Sequence, residues 1–285
     1  RQLADLGARV IAVDLPSGLD ADTGQTPGAC VRADHVLCLL TLKPGLFTAH
    51  GRDHAATVWL DSLGIDLSGE SPQAWLGGAQ AATVPRRQHS QHKGSFGDVA
   101  VVGGAPGMAG ATLLAARAAH AAGAGRVFVE LLDAHAASVD GLRPELMLRH
   151  EWTARTAPDT LKQVTAVCGC GGGDAVRTAL PRLLAHVARL VIDADALNLV
   201  ATDDMLKQQV RERAARGQAT VVTPHPLEAA RLLRRSSGEV QSNRLHAAQE
   251  LAAALECVVV LKGSGSVIAA PGRAPRINAS GNASL

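Results

Sequence analysis

The chain has 285 residues, five cysteines and a formal net charge of +2. Hydrophobic residues make up 47% and aromatics only 2%, with no tyrosine. That apolar content excludes wholesale disorder. Scarce aromatics and a near-neutral balance leave neither stacking platforms nor a broad basic face, so no nucleic-acid partner is expected. No apolar run reaches the roughly eighteen residues of a membrane span, and no signal peptide is visible. Cys30, Cys38, Cys168, Cys170 and Cys257 form no C-x-x-C pair. A zinc ribbon or a thioredoxin-type site is therefore excluded, and a reducing, cytoplasmic setting is expected. At roughly 100–200 residues per domain, the length admits one large domain or two smaller ones.

Residues ahead of Val10 read as the end of a helix leading into a strand at 10–13. That apolar run suits a strand buried on both faces. It ends at Asp14, before the turn formers Pro16, Ser17 and Gly18. Further strands are expected at 35–42 and 56–60. Three such strands with little helix between them do not complete an α/β domain. The chain also starts at Arg1, without methionine, and stops at Leu285 after a loop signal. Both ends are read as cut. Residues 64–92, rich in Gly, Ser, Pro and Gln, read as a linker.

From Lys93 the pattern alternates regularly. Strands are expected at 98–102, 126–132, 164–168, 190–193, 219–223 and 258–261, with a hairpin or edge strand at 267–270. Helices are expected at 111–122, 174–186 (Asp174 as N-cap), 204–216, 227–234 and 242–255. Alternating strand and helix argues for a layered α/β sheet.

In such sheets ligands bind beyond the carboxyl ends of the strands, and the notable motifs fall there. GGAPGMAG sets Gly103, Gly104, Gly107 and Gly110 between a strand and a helix. It is either an anion-binding loop or a turn for close packing. TPHP holds His225 between two prolines, as a ligand contact or as a surface histidine opening a helix. LKGSGS offers Lys262, Gly263, Ser264, Gly265 and Ser266 to a nucleotide phosphate, or forms a hairpin turn. DADALN supplies Asp193, Asp195 and Asn198 to a metal or ribose, or caps a helix. In VDLPSG, Asp14 and Ser17 serve a ligand and a cation, or a local turn.

In their order, VDLPSGLDADTG, HKGSFGDVAVVGG, GAGRV, DADALN, TPHP, VVLKG and INASGN resemble the bifunctional NAD(P)H-hydrate repair family. The resemblance implies a partial Rossmann-like epimerase domain over 1–63 and a linker over 64–92. It implies a ribokinase-like, three-layer α/β dehydratase domain over 93–285. The implied activities are dehydration of (S)-NAD(P)HX, driven by ADP or ATP with Mg2+, and epimerisation of the R and S hydrates, with K+. It also implies substrate contacts at Asp14, Ala111, Gly173 and His225, and nucleotide contacts at Lys262, Gly263, Ser264, Gly265 and Ser266. Ser17 becomes a potassium ligand, and a homo-oligomer is expected.

Two departures bear on function. Leu227 stands where the family has glycine. The family continues past GNASL into a Gly-x-Gly-Asp segment with the anion hole and the catalytic aspartate, so no catalytic residue is assigned within 1–285. The 285 residues alone are therefore expected to turn over poorly. Other readings are a ribokinase-type kinase of a hydroxymethylpyrimidine or thiazole alcohol, and a non-catalytic nucleotide-binding scaffold.

Overall fold

Strand β5 (Asp98–Gly103) shows why the second half of the chain forms layers. Its alternate residues face opposite ways. Ala100 and Val102 join one buried cluster, while Val101 joins another with Ala116, Val127 and Val129. Covering both faces of a sheet requires a helical layer on each side. The computed structural model describes residues 7–77 and 86–282. The helix end expected ahead of Val10 and part of the expected linker fall outside them.

A ten-stranded sheet runs β4-β13-β12-β11-β10-β9-β8-β5-β6-β7. The strands are β4 (Trp75–Gly77), β5, β6 (Arg126–Leu131), β7 (Met147–Leu148), β8 (Val164–Cys168), β9 (Arg189–Ile192), β10 (Ala219–Val222), β11 (Val258–Leu261), β12 (Val267–Ala269) and β13 (Arg276–Asn278). Pairing from β11 through β7 is parallel, whereas β12 runs antiparallel to both β11 and β13. The expected hairpin therefore forms. Strand β4 lies inside the segment read as linker and pairs in parallel with β13. From β5 the chain moves outward through β6 and β7, then returns to the other side of β5 as β8. The strand order reverses between β5 and β8, and ligand crevices open at such a point.

Strands β1 (Ile11–Val13), β2 (Ala33–Leu39) and β3 (Ala55–Asp61) form a separate parallel sheet. Burial of β1 on both faces is not what the structure shows. Ile11 and Val13 are 66% and 67% exposed, while Val10 and Ala12 pack inward with Val36 and Leu46. Only one face of this sheet is covered by the described residues.

Two helices differ from expectation. The 174–186 helix is a 3-10 turn over Gly173–Thr178 followed by an α-helix over Leu180–His186. Asp174 sits inside the first turn rather than at the cap, and the α-helix starts afresh with Pro181 in its first turn, where the missing N–H costs nothing. The 242–255 helix starts at Arg244, because Asn243 caps it by accepting from the His246 amide.

Candidate active site at the strand ends

The reversal point brings two glycine loops together. After β5, Gly104 N donates to Cys170 O (3.1 Å) and Ala105 N to Gly171 O (2.7 Å). The Thr112 hydroxyl donates to the same Cys170 carbonyl (2.7 Å). A side chain cannot intervene: a Cβ on Gly103 would lie 2.4 Å from Cys170 O. This zipper brings Ala111 close to the loop that leads to Gly173. A Cβ on Gly171 would meet Ala111 Cβ at 3.1 Å, and one on Gly173 would meet Ala105 Cβ at 3.4 Å. The GGAPGMAG turn thus packs closely against the loop after β8. Gly173 N donates to Asp195 Oδ2 (2.9 Å), which ties the β8 loop to the β9 loop. A cavity of about 350 Å3 lies here, lined by Gly173, Arg177, Asp195, Asn198 and Arg231 among others.

Asp193 follows β9 and makes the central contacts. Its backbone occupies the N-cap position of the helix Ala194–Thr202, but its side chain makes no cap hydrogen bond. Instead, Asp193 Oδ1 accepts from Thr223 Oγ1 (2.6 Å) and from Lys262 Nζ (2.8 Å). Burial raises its carboxyl, but the hydrogen bonds from Lys262 and Thr223 outweigh that, and the net shift is downward. Cys170 Sγ lies 3.7 Å from Asp193 Oδ2. Burial first, and then the Asp193 charge, push that thiol up to about 11.

His225 takes the helix-start role that its sequence context allowed. Its Nδ1 accepts from Leu227 N (3.1 Å), and Glu228 Oε2 accepts from the His225 amide (2.8 Å), closing a capping box. With Nδ1 accepting, the proton sits on Nε2, 3.3 Å from Glu228 Oε1. The imidazole is half-exposed, so capping and ligand contact are compatible. Leu227 is exposed and supplies to this cap only its amide, which a glycine also has.

Lys262, Gly263, Ser264, Gly265 and Ser266 form the loop between β11 and β12. Lys262 N donates to Pro224 O (2.9 Å), joining this loop to the TPHP turn. Gly263 and Ser264 are exposed and Gly265 is buried. The five loops after β5, β8, β9, β10 and β11 thus form one connected surface. DADALN gave only a choice between ligand and cap, and nothing in the sequence linked Asp193 to Thr223 and Lys262. Those two lie 30 and 69 positions from Asp193 and meet it only through parallel strand order. A larger hollow of about 620 Å3, lined by Arg117, His120, Leu142 and Arg143 among others, lies away from these strand ends.

In the first unit, Asp14 stands at φ 68°. Its carboxylate does not make a local turn. It accepts from Leu39 N (3.1 Å) and, in a very short contact, from Lys43 Nζ. That lysine hydrogen bond is the main cause holding the carboxyl below its ordinary range. Lys43 was not a candidate in the sequence; only the fold brings it to Asp14. Ser17 is exposed, and its carbonyl accepts from Val31 N (2.9 Å). With Asp14 already neutralised by Lys43, the described residues do not by themselves fit a potassium ion at Ser17. Among the described residues, no three His, Cys, Asp or Glu side chains converge as a metal site. No helix among them is long and apolar enough to cross a membrane.

A family model described as NAD(P)H-hydrate dehydratase matches residues 99–285, and one described as YjeF-related protein N-terminus matches residues 1–45. A bifunctional NAD(P)H-hydrate repair enzyme of Escherichia coli K12 is 39% identical over 286 residues, covering 98% of this chain and 53% of that protein. An ADP-dependent (S)-NAD(P)H-hydrate dehydratase of Neisseria meningitidis is 38% identical over 226 residues, covering 77% of this chain and 74% of that one. A solved ADP/ATP-dependent NAD(P)H-hydrate dehydratase from Bacillus subtilis, co-crystallised with ATP/Mg2+, aligns with a TM-score of 0.55 and 28% identity. That alignment covers 70% of each chain. The chain spans about half the length of the bifunctional relatives it matches.

Proposed function

The chain belongs to the NAD(P)H-hydrate dehydratase family, and on that premise we propose that its second unit takes ADP or ATP at residues 262–266. In the same reading (S)-NAD(P)HX lies against Ala111, Gly173 and His225, and the reaction restores NAD(P)H. Hydroxide is a poor leaving group, so the ring hydroxyl is first phosphorylated. Its oxygen bonds to the terminal phosphorus, the nucleotide's P–O bond breaks, and the hydroxyl proton passes to a general base. Phosphate then leaves with the C–O electron pair while the neighbouring ring carbon loses a proton, forming the ring double bond. In the resembling family the base belongs to the Gly-x-Gly-Asp segment.

The residues of this chain bind and orient. Lys262 supplies a point charge for phosphate, held at the strand ends by Asp193. Exposed Gly263 and Ser264 leave room for phosphate to approach the backbone. His225, fixed by its capping box, is read as the substrate-facing histidine. Mg2+ would neutralise the phosphoryl group in transfer, held chiefly by phosphate oxygens. The first unit is read as part of an epimerase, with Asp14 as the substrate contact. A cytoplasmic homo-oligomer completes the reading.

The observation that supports it most is the Lys262–Asp193 pair beside the zipped loops of the reversal point. The test supplies (S)-NADHX with ADP or ATP to the chain, alone and extended through the Gly-x-Gly-Asp segment. Nucleotide-dependent return of NADH by the extended chain is expected, with at least a ~100-fold lower rate for the 285 residues alone, the scale of losing an anion hole. Phosphorylation of a free alcohol without NADH would favour the kinase reading. Ligand-dependent partner binding without turnover would favour the scaffold.

A further inference from the structure

Arg244 opens the helix Arg244–Leu255 and is only 1% exposed. All four of its hydrogen-bond acceptors are neutral. Nε donates to Thr48 Oγ1 (3.1 Å) and Nη1 to Gln241 Oε1 (2.6 Å). Nη2 donates to the carbonyls of Leu261 (3.3 Å) and Lys262 (3.1 Å). A buried guanidinium without a counter-charge is costly, and satisfying its donors offsets part of that cost. The side chain is therefore seated directly beneath the nucleotide loop. A Cβ on Gly263 would lie 2.8 Å from both Nη atoms.

The opposite side of the loop is held from the first unit. Thr48 is fully buried. Its hydroxyl accepts from Arg244 and donates to Ser264 O (3.3 Å). Gly265 sits at φ +60°, and a Cβ there would lie 1.9 Å from Phe47 O. Phe47 packs against the cores of both units. A second bridge runs from Gln25 Nε2 to Gln241 O (2.8 Å). The turn carrying Phe47 and Thr48 is itself clamped to the first unit. A Cβ on Gly24 would lie 2.3 Å from Thr48 O, and one on Gly45 would lie 2.1 Å from Asp20 O. That turn begins just after Lys43, the partner of Asp14.

We propose that Arg244 and Thr48 are positioning residues of the nucleotide loop, so that the first unit's turn at 44–48 forms part of the dehydratase nucleotide site. This rests on the reading of residues 262–266 as a phosphate loop. The Thr48 hydroxyl and the Arg244 guanidinium jointly fix the Lys262 and Ser264 carbonyls. Their peptide planes then aim the Gly263 and Gly265 amides. Because the two units share these bonds, nucleotide bound at the loop steadies the first unit's turn, and loosening the turn weakens the nucleotide.

The test uses the 285-residue chain with ADP as probe. Thr48→Val keeps the buried volume and removes both hydroxyl bonds, whereas Thr48→Ser retains the hydroxyl. By calorimetry, Thr48→Val is expected to weaken ADP about tenfold, a loss of the size expected from one to two bonds to a charged network, and Thr48→Ser to restore binding. Hydrogen exchange on the unmodified chain is expected to show ADP slowing amides at 44–51 as well as at 262–266. Equal ADP affinity in Thr48→Val overturns the inference while leaving the nucleotide site intact. Should Thr48→Val fail to fold, exchange at 44–51 that is insensitive to bound ADP overturns it. No ADP or ATP binding by the unmodified chain overturns the phosphate-loop reading itself, and this inference with it.

Discussion

Strands β1 and β11 are both short apolar runs, IAV and VVVL, yet their fates differ. Ile11 and Val13 are about two-thirds exposed, whereas Val259 and Leu261 are almost fully buried. An apolar, β-branched run specifies a strand in either setting. What decides burial is the number of layers laid over it, and that is a property of the whole sheet. In the second unit helices cover both faces. In the first, Trp59 and Leu60 on β3 are also more than half exposed. The units differ in function accordingly. In the second, ligand loops stand on a rigid, two-sided sheet. In the first, the best-fixed part is the glycine-packed turn that meets the other unit.

The largest expected effect that would break this comparison is in the second core. Leu183 is fully buried, so Leu183→Ala should cost about 2–5 kcal/mol by urea denaturation. A loss below about 1 kcal/mol would show that the two-sided packing is not real. Next comes Lys262→Met. Removing a charged phosphate contact is worth about 1.5–3 kcal/mol, so ADP affinity should fall roughly 10–100-fold, together with the stability that the pair with Asp193 contributes. Unaltered affinity would detach residues 262–266 from the nucleotide.

A smaller effect concerns acid. The Asp193 carboxyl lies below its ordinary value of 3.8, so its ion pair stabilises the fold above that value. The contribution fades as pH falls through the lower, folded value. Asp193→Asn should therefore flatten the stability profile below about pH 4 and leave Leu183→Ala additive. A profile that keeps its acid slope would place the titrating group elsewhere. The smallest effect belongs to the first unit's open face, where Ile11→Ser should change stability by no more than about 0.5 kcal/mol. A loss several times larger would mean that this face is covered in solution.

Much of this was legible before folding. The alternating pattern predicted β5, β6 and β8 to β12 within a residue or two but not the two-residue β7, and the strand-end motifs fell where parallel sheets bind ligands. Local chemistry also decided His225, since Pro226 and Glu228 make a helix start whatever lies around them. What stayed hidden was pairing across sequence. Neither Arg244 nor Thr48 belongs to a motif singled out in the sequence. Their bond spans 196 positions and exists only because two units share a boundary. Helix breaks at Ala179 and Asn243 escaped for a different reason, since propensity summed over a window blurs a single non-helical residue.

The central claim is that the joined strand-end loops are the ligand site, rather than the larger hollow beside His120. Amide chemical-shift mapping of the 15N-labelled chain during an ADP titration tests it directly. The account predicts perturbed amides at 103–107, 169–173, 223–225 and 262–266, extending to 44–48. Perturbations confined to residues around Arg117, His120 and Arg143, with those loops silent, would contradict it.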